Sequence, residues 1–417
     1  MIRDIAIWAI ALLVTAGVVI RPWRLPEAIW ATIGAVALVG FTLLPLGDAL
    51  SAIGRGTEVY LFLAGMMLIA EIARREGLFD RLAVIAADWA GGSASRLFAL
   101  VYGVGTVVTV FLSNDATAVV LTPAVYIVTR AVGAPPLPYL FVCAFIANAA
   151  SFVLPISNPA NLVIFGDRMP TLGRWISSFG LASCLSIAVT FAVLRWRFFD
   201  DLLEPVAERI DHRPLGPGAR LAGIGTLLAI CAQLLASALG LSLGWTTLVA
   251  GVLMALVVLL ITRQSPVSLL RGISWSVLPL VAGLFVMVAG LESTGAVGGI
   301  ATTLRAFTEQ SIGWSAFGSG WIVALASNLM NNLPAGLLSA AALSAAQSPQ
   351  PVSAAVLIGI DLGPNFSVTG SLATILWLLV LRREGLEVSA WRFLKIGMLV
   401  TTPALILAMG SVALLSR

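Results

Sequence analysis

The chain has 417 residues, of which 59% are hydrophobic and only 11% charged, and its mean hydropathy is +1.01. A soluble domain of this length needs far more surface charge, so a soluble enzyme or a nucleic-acid-binding module is excluded. The net charge of +4 comes from arginines at segment ends, where it reports topology and not nucleic acid. The apolar segments run unbroken for about 17–22 residues, the length of a spanning helix. A membrane barrel would instead alternate over ten-residue strands. The class is therefore an all-α polytopic membrane protein, because helices satisfy their own backbone in lipid.

The first apolar run ends at Ile20, before Arg21-Pro22-Trp23-Arg24. With no small-residue cleavage site, it reads as a retained span. Spans 28–46 and 59–73 follow, the second closed by Arg74 and Arg75. Segment 77–89 carries Arg81 and Asp88 and reads as interfacial. Arg96 then opens a run that closes at Arg130 and is interrupted by a polar tip, 111–117, containing Ser113, Asn114, Asp115 and Thr117. An ionisable group inside such a run is expensive in hydrocarbon and marks a function by default. Segment 139–165 is apolar but broken by Asn148, Ser151, Pro155, Ser157, Asn158, Pro159 and Asn161. Proline ends a helix, and backbone freed at membrane depth is tolerated where it lines a cavity. A span at 173–194 completes a first half, 1–195. The charged stretch 196–219 reads as a cytoplasmic linker.

The second half, 220–417, repeats the plan. Spans are expected at 221–239, 246–261 and 277–291, an interfacial segment at 295–307, and a polar tip at 327–332 with Asn328, Asn331 and Asn332. A broken helix, 352–381, contains Asp361, Gly363, Pro364 and Asn365, and the last span lies in 391–415. Ser113 and Ser327 are 214 residues apart, Asn148 and Asp361 213, and Gly77 and Gly295 218. Paired interrupted segments in two halves point to a transporter binding site. If each tip is a re-entrant hairpin, each half has about five transmembrane helices, so the halves face opposite ways: an inverted-topology repeat. A cytoplasmic linker then puts 18 basic residues inside and 6 outside. Twelve full spans would keep the same parity, so charge does not separate hairpins from spans.

The two tips and two breaks should converge near the midplane with half-helix ends and unwound carbonyls. Asn114, Asn148, Ser151, Asn158, Asn328, Asn331, Asn332 and Asn365 are the expected substrate contacts, and Asp115 and Asp361 suit proton or cation coupling. No Arg, Lys or His arrives with them. A carboxylate or phosphate substrate would want a guanidinium partner, whereas a neutral polyhydroxylated solute suits amides and hydroxyls, which donate and accept. No catalytic group, resident metal or cofactor is expected. Cys143, Cys184 and Cys231 stand singly in apolar segments and read as small core residues. The only histidine, His212, lies in the linker, which removes a Ser–His hydrolase, and the paired-Asp motifs of a membrane aspartyl protease are missing. Glu71 and Glu292 read as interfacial span ends.

The strings FLSNDATAVVLTPAV at 111–125, IANAASFVLPISNPANLVIFG at 146–166, SNLMNNLPAGL at 327–337 and GIDLGPNFSVTGSLATILWL at 359–378 resemble those of the arsenite/antimonite efflux permeases, the arsenical pump membrane proteins of the ion-transporter superfamily. The resemblance spans nearly the whole chain. It implies export of trivalent arsenic and antimony hydroxides across the plasma membrane, and so arsenical resistance. Export would be driven by protons or, in some organisms, by a soluble arsenite-stimulated ATPase docked on the permease. A sodium-coupled di- or tricarboxylate symporter of the same superfamily is the alternative. Those carriers resemble this chain in architecture but use Ser-Asn-Thr at their tips. Here the strings read Ser113-Asn114-Asp115 and Ser327-Asn328-Leu329.

Overall fold

The computed structural model describes residues 1–207 and 217–415, and these are helical throughout, without a named strand. The first part runs α1 (Ile2–Ile20), α2 (Glu27–Gly40), α3 (Leu46–Arg55), α4 (Thr57–Arg75), α5 (Leu78–Ala90) and α6 (Ala94–Leu112). It continues through α7 (Asn114–Ala116), a π-helical turn (Thr117–Leu121), α8 (Thr122–Ala131), α9 (Pro136–Ala149), α10 (Pro159–Phe165) and α11 (Leu172–Arg197). The second part runs α12 (Pro217–Leu239), α13 (Leu243–Thr262), α14 (Pro266–Gly272), α15 (Val277–Ser293) and α16 (Ala296–Gln310). It ends with α17 (Ile312–Met330), α18 (Asn332–Ala346), α19 (Gln350–Leu362), α20 (Leu372–Arg383) and α21 (Ala390–Leu415).

Among the described residues, α1, α6, α11, α12, α13 and α21 are long and apolar enough to cross a membrane. The pairs α3–α4 and α14–α15 bend by 49° and 45° and bring the number to eight if each pair is one span. The sequence reading missed the short leading arm of both pairs. It also put the linker at 196–219. The described chain instead keeps α11 helical to Arg197 and starts α12 at Pro217. Residues 203–207 form a strap: Val206 N–H donates to Gly92 (2.9 Å) and Ala207 N–H to Val132 (2.9 Å). Residues 208–216, His212 among them, lie outside the described part.

Lipid gives no hydrophobic drive between helices, so small residues must let backbones meet. Helix α4 packs on α13 in this way: a Cβ on Gly65 would stand 2.4 Å from the Thr247 carbonyl. Helix α2 packs on α15 through Gly283, whose Cβ would stand 2.7 Å from the Ala31 backbone. Helix α4 also caps α13, because Glu58 accepts from Ser242 Oγ (2.7 Å) and Gly244 N–H (3.0 Å). Loss of such a cap costs about 1 kcal/mol. Glu58→Ala is therefore expected to lower the thermal midpoint in detergent by a few degrees, and an unchanged midpoint would refute the capping role. The expected interfacial acids are ion-paired: Glu292 with Arg55 (3.2 Å), and buried Glu71 with Arg74 (2.7 Å) and Arg75 (2.6 Å).

The core that joins the two parts is aromatic. Phe141, Phe145, Trp377 and Phe393 are fully buried with ring centroids 5.4–6.1 Å apart, within the favourable range for such pairs. Trp377 Nε1 donates to the Leu140 carbonyl (2.9 Å), fixing α20 against α9. Helix α5, read as interfacial, buries Phe79, Ala83, Ala86, Ala87 and Ala90 and packs on α6 and α8. Of the cysteines only Cys143 is buried. Cys184 and Cys231 lie on exposed helix faces, which corrects the reading of all three as core.

Candidate functional site

Each polar tip is a single residue with a rare backbone. Ser113 (φ 88°, ψ 159°) separates α6 from α7, and Asn331 (φ 74°, ψ 154°) separates α17 from α18. That region is nearly restricted to glycine and costs on the order of 1–3 kcal/mol per residue, so surrounding structure must enforce it. The second tip was expected to match Ser113 with Ser327. The backbone instead matches Ser113 with Asn331, because Ser327 still lies in the last turn of α17. The separation becomes 218 residues, the same as that of Gly77 and Gly295 and of the cap residues Ser93 and Ser311.

The chain reverses at Ser113. Thr117 Oγ1 lies 2.8 Å from Thr109 Oγ1, a contact that a straight helix would forbid at a separation of eight residues. The π turn follows at once, and such turns gather at functional sites. Asn114 is buried and turns its Oδ1 to its neighbour's N–H (Asp115, 2.9 Å). Asp115 is half-buried, and among the described residues nothing bonds to its carboxylate. At the second tip Asn332 N–H donates to Gly370 (2.9 Å) and Leu333 N–H to Asn331 Oδ1 (3.4 Å). Asn328 has no free amide atom: Nδ2 donates to Ala324 (2.7 Å) and Gly363 (3.0 Å), and Oδ1 accepts from Ser367 (2.7 Å). It latches α17 to the second break. A cavity of about 1010 Å³ along α16, α17 and α18 extends to Met330, next to this tip.

The two breaks meet directly. Helix α9 stops at Ala149, passes through a 3-10 turn at Pro155–Ser157 and resumes as α10. Helix α19 stops at Leu362, passes through Gly363–Phe366 and resumes as α20. Asn148 Nδ2 donates to Asn365 Oδ1 (2.8 Å), and Asn365 Nδ2 to the Phe145 carbonyl (3.0 Å). Asn158 Nδ2 donates to Asp361 Oδ1 (2.8 Å), while its Oδ1 caps α10 by accepting from Ala160 N–H (3.0 Å). Ser151 Oγ stands beside the Asp361 carboxyl group and donates to the Asn148 carbonyl (2.8 Å). Asn161 Nδ2 binds the freed carbonyls of Ser151, Leu154 and Pro155 (3.0–3.3 Å). All of Asn148, Ser151, Asn161, Asp361 and Asn365 have no exposed surface, and Asn158 only 2%. Three of their oxygens accept nothing: Asn148 Oδ1, Asn161 Oδ1 and Asp361 Oδ2.

Of the ten expected residues, the structure thus joins Asn148, Ser151, Asn158, Asp361 and Asn365 in one buried cluster. It puts Asn114 and Asp115 at the first tip, Asn331 and Asn332 at the second, and Asn328 in the latch. Sequence reasoning passed over Asn161 as a mere break residue. Its three-residue spacing from Asn158 on one short helix was the available signal.

A family model described as "Citrate transporter" (CitMHS) matches residues 10–359, ending two residues before Asp361. The arsenical pump membrane protein of Escherichia coli is 25% identical over 399 residues, 92% of each chain. That of Yersinia enterocolitica is 26% identical over 361 residues, 84% of each. An uncharacterized transporter of Mycobacterium tuberculosis is 27% identical over 418 residues, 96% of each. These relatives bear out the resemblance carried by the four polar strings. The fold is similar to the crystal structure of the Alcanivorax borkumensis YdaH transporter, with a TM-score of 0.57 at 14% identity over 93% of this chain and 97% of that one. With the family model running through both tips and the first break, the chain is a multi-pass membrane transporter, not an enzyme, and belongs to the citrate transporter (CitMHS) family, kin to the arsenical pump membrane proteins of bacteria.

Proposed function

We propose that the protein exports arsenite and antimonite, as neutral trivalent hydroxides, from the cytoplasm in exchange for protons. Its two halves form an inverted-topology repeat of about five spans and one re-entrant hairpin each. The recurring 218-residue offsets support the repeat, and so does the exchange of partners between halves. Helix α2 packs on α15 as α13 packs on α4, and α10 packs on α18 as α20 packs on the π turn. Asn114, Asn148, Ser151, Asn158, Asn328, Asn331, Asn332 and Asn365 build or hold the substrate site, and Asp115 and Asp361 couple the proton.

One observation carries the substrate class: the cluster of Asn148, Ser151, Asn158, Asn161, Asp361 and Asn365 holds unpaired acceptor oxygens and contains no arginine, lysine or histidine. Asn148, Asn158, Asn161 and Asn365 each already give an N–H to an acceptor of the protein, and one N–H at the start of each of α10, α18 and α20 is capped, by Asn158, Asn331 and Ser371. A citrate or dicarboxylate wants cations around its carboxylates, whereas a neutral solute carrying O–H groups needs acceptors, which are available. The family description, a citrate transporter, favours a second reading in which the substrate is a carboxylate; we keep sodium-coupled uptake as its form. Everted vesicles with an imposed pH gradient separate the two. The wild type is expected to accumulate arsenite, and Asp115→Asn only to equilibrate it. Sodium-driven citrate uptake without arsenite accumulation would replace this reading by the second.

A further inference from the structure

The buried cluster where the two breaks cross has an unusual hydrogen-bond balance. The orientation of each amide is fixed by its neighbours. If Asn148 were flipped, its oxygen would face Asn365 Oδ1. Flipping Asn365 in turn would set its oxygen against the Phe145 carbonyl. A flipped Asn158 would point its oxygen at the Asp361 carboxylate, and a flipped Asn161 would point its own at three carbonyls. Each amide nitrogen is therefore held on the protein scaffold by at least one N–H. What remains is Asn148 Oδ1, Asn161 Oδ1 and Asp361 Oδ2, each fully buried and without a donor. Native interiors seldom leave one such atom unpaired, and a buried group without its partner costs about 1–3 kcal/mol.

What Asp361 Oδ2 lacks is a hydrogen; the Ser151 hydroxyl beside it is given to the Asn148 carbonyl (2.8 Å), and two further species can supply one. A proton on Asp361 Oδ2 turns an acceptor into a donor. A neutral solute with several O–H groups donates to the ionised carboxylate and to the amide oxygens. The two cannot act at Asp361 Oδ2 together, because the protonated carboxyl oxygen no longer offers the solute its strongest acceptor. Resting on the transport reading above, we infer that Asp361 Oδ2 is a shared site at which proton and polyhydroxylated solute exclude each other, and that this exclusion is the exchange coupling. Solute entering from one side displaces the Asp361 proton to water on that side. After the site faces the other side and the solute leaves, a proton from that side takes its place. The bookkeeping is one proton against one neutral solute, with no covalent change.

The test is arsenite binding to the purified full chain in lipid nanodiscs, in weakly buffered solution with a pH-indicator dye. Below the midpoint of Asp361 titration, arsenite binding is expected to release one proton per ligand, and affinity to fall about tenfold per pH unit, because exclusion is reciprocal. Asp361→Asn retains an acceptor for Asn158 and should bind arsenite without proton release and with no pH dependence. Asp361→Glu should restore release with a displaced midpoint. Arsenite binding to the wild type with no proton release, or with release unchanged in Asp361→Asn, overturns the inference and leaves the transport reading intact. Sodium competing with arsenite at fixed pH, while protons do not, also overturns it. A chain that binds citrate with sodium and no arsenite at any pH overturns the transport reading, and the inference falls with it.

Discussion

Asp361→Asn is expected to fold, to let arsenite equilibrate, and to lose all concentrative transport, whereas Asp361→Leu is expected to fold poorly. The two substitutions separate the jobs of one side chain. Asp361 Oδ1 holds Asn158 Nδ2, and Asn158 caps α10 with its other amide atom. An asparagine keeps that acceptor. A leucine leaves Asn158 Nδ2 buried without a partner, at about 1–3 kcal/mol, and loosens the cap as well, at about 1 kcal/mol. Coupling depends on a different property, the ability to carry a proton across, which Asn lacks. Vesicle accumulation reads the second job, and the thermal midpoint with size-exclusion profile reads the first. Accumulation by Asp361→Asn at the wild-type level would remove Asp361 from the coupling path.

Much of this centre was legible in the sequence, because polar residues inside apolar runs have few reasons to exist. The two breaks and the first tip were located to within a few residues by proline and amide content alone. The second tip, 327–332, contains the corner, but Ser113 was matched with Ser327 and not with Asn331, four residues on, for a physical reason. Ser327, Asn328, Asn331 and Asn332 are alike in polarity, but only φ and ψ decide which one turns the corner, and Asn331 does. Composition also could not tell a ligand contact from a latch. Asn328 reads like Asn148 in the string, yet its amide atoms are all engaged with α17 and the second break. The π turn after Asp115 has no sequence signature, since it differs from an α turn by one hydrogen-bond register. The strap at 203–207 is a long-range backbone pairing, which periodicity does not report.

Gly359→Val is expected to yield little folded protein, and Gly105→Ala to be tolerated, although the two glycines line comparable helix contacts in the two halves. In the second half α17 and α19 touch backbone to backbone. A Cβ on Gly359 would stand 2.3 Å from the Gly320 carbonyl, one on Gly320 2.7 Å from the Ala355 carbonyl, and one on Gly363 2.5 Å from Ala324 Cα. A carbonyl inside a helix cannot step aside without breaking the ladder, so the helices must separate and the Asn328 latch must open. Overpacking typically costs about 1–3 kcal/mol where side chains can yield, and here none can. In the first half a Cβ on Gly105 would meet side chains alone, Ile146 at 2.8 Å with Leu121 and Thr117 at ordinary contact distance, and the Ile146 side chain can rotate. Expression, monodispersity and thermal midpoint of the two variants check the difference. Equal tolerance would mean that α17 and α19 are free to part, whereas the expected asymmetry means that the second tip, α17 and the Asp361 break are held as one piece.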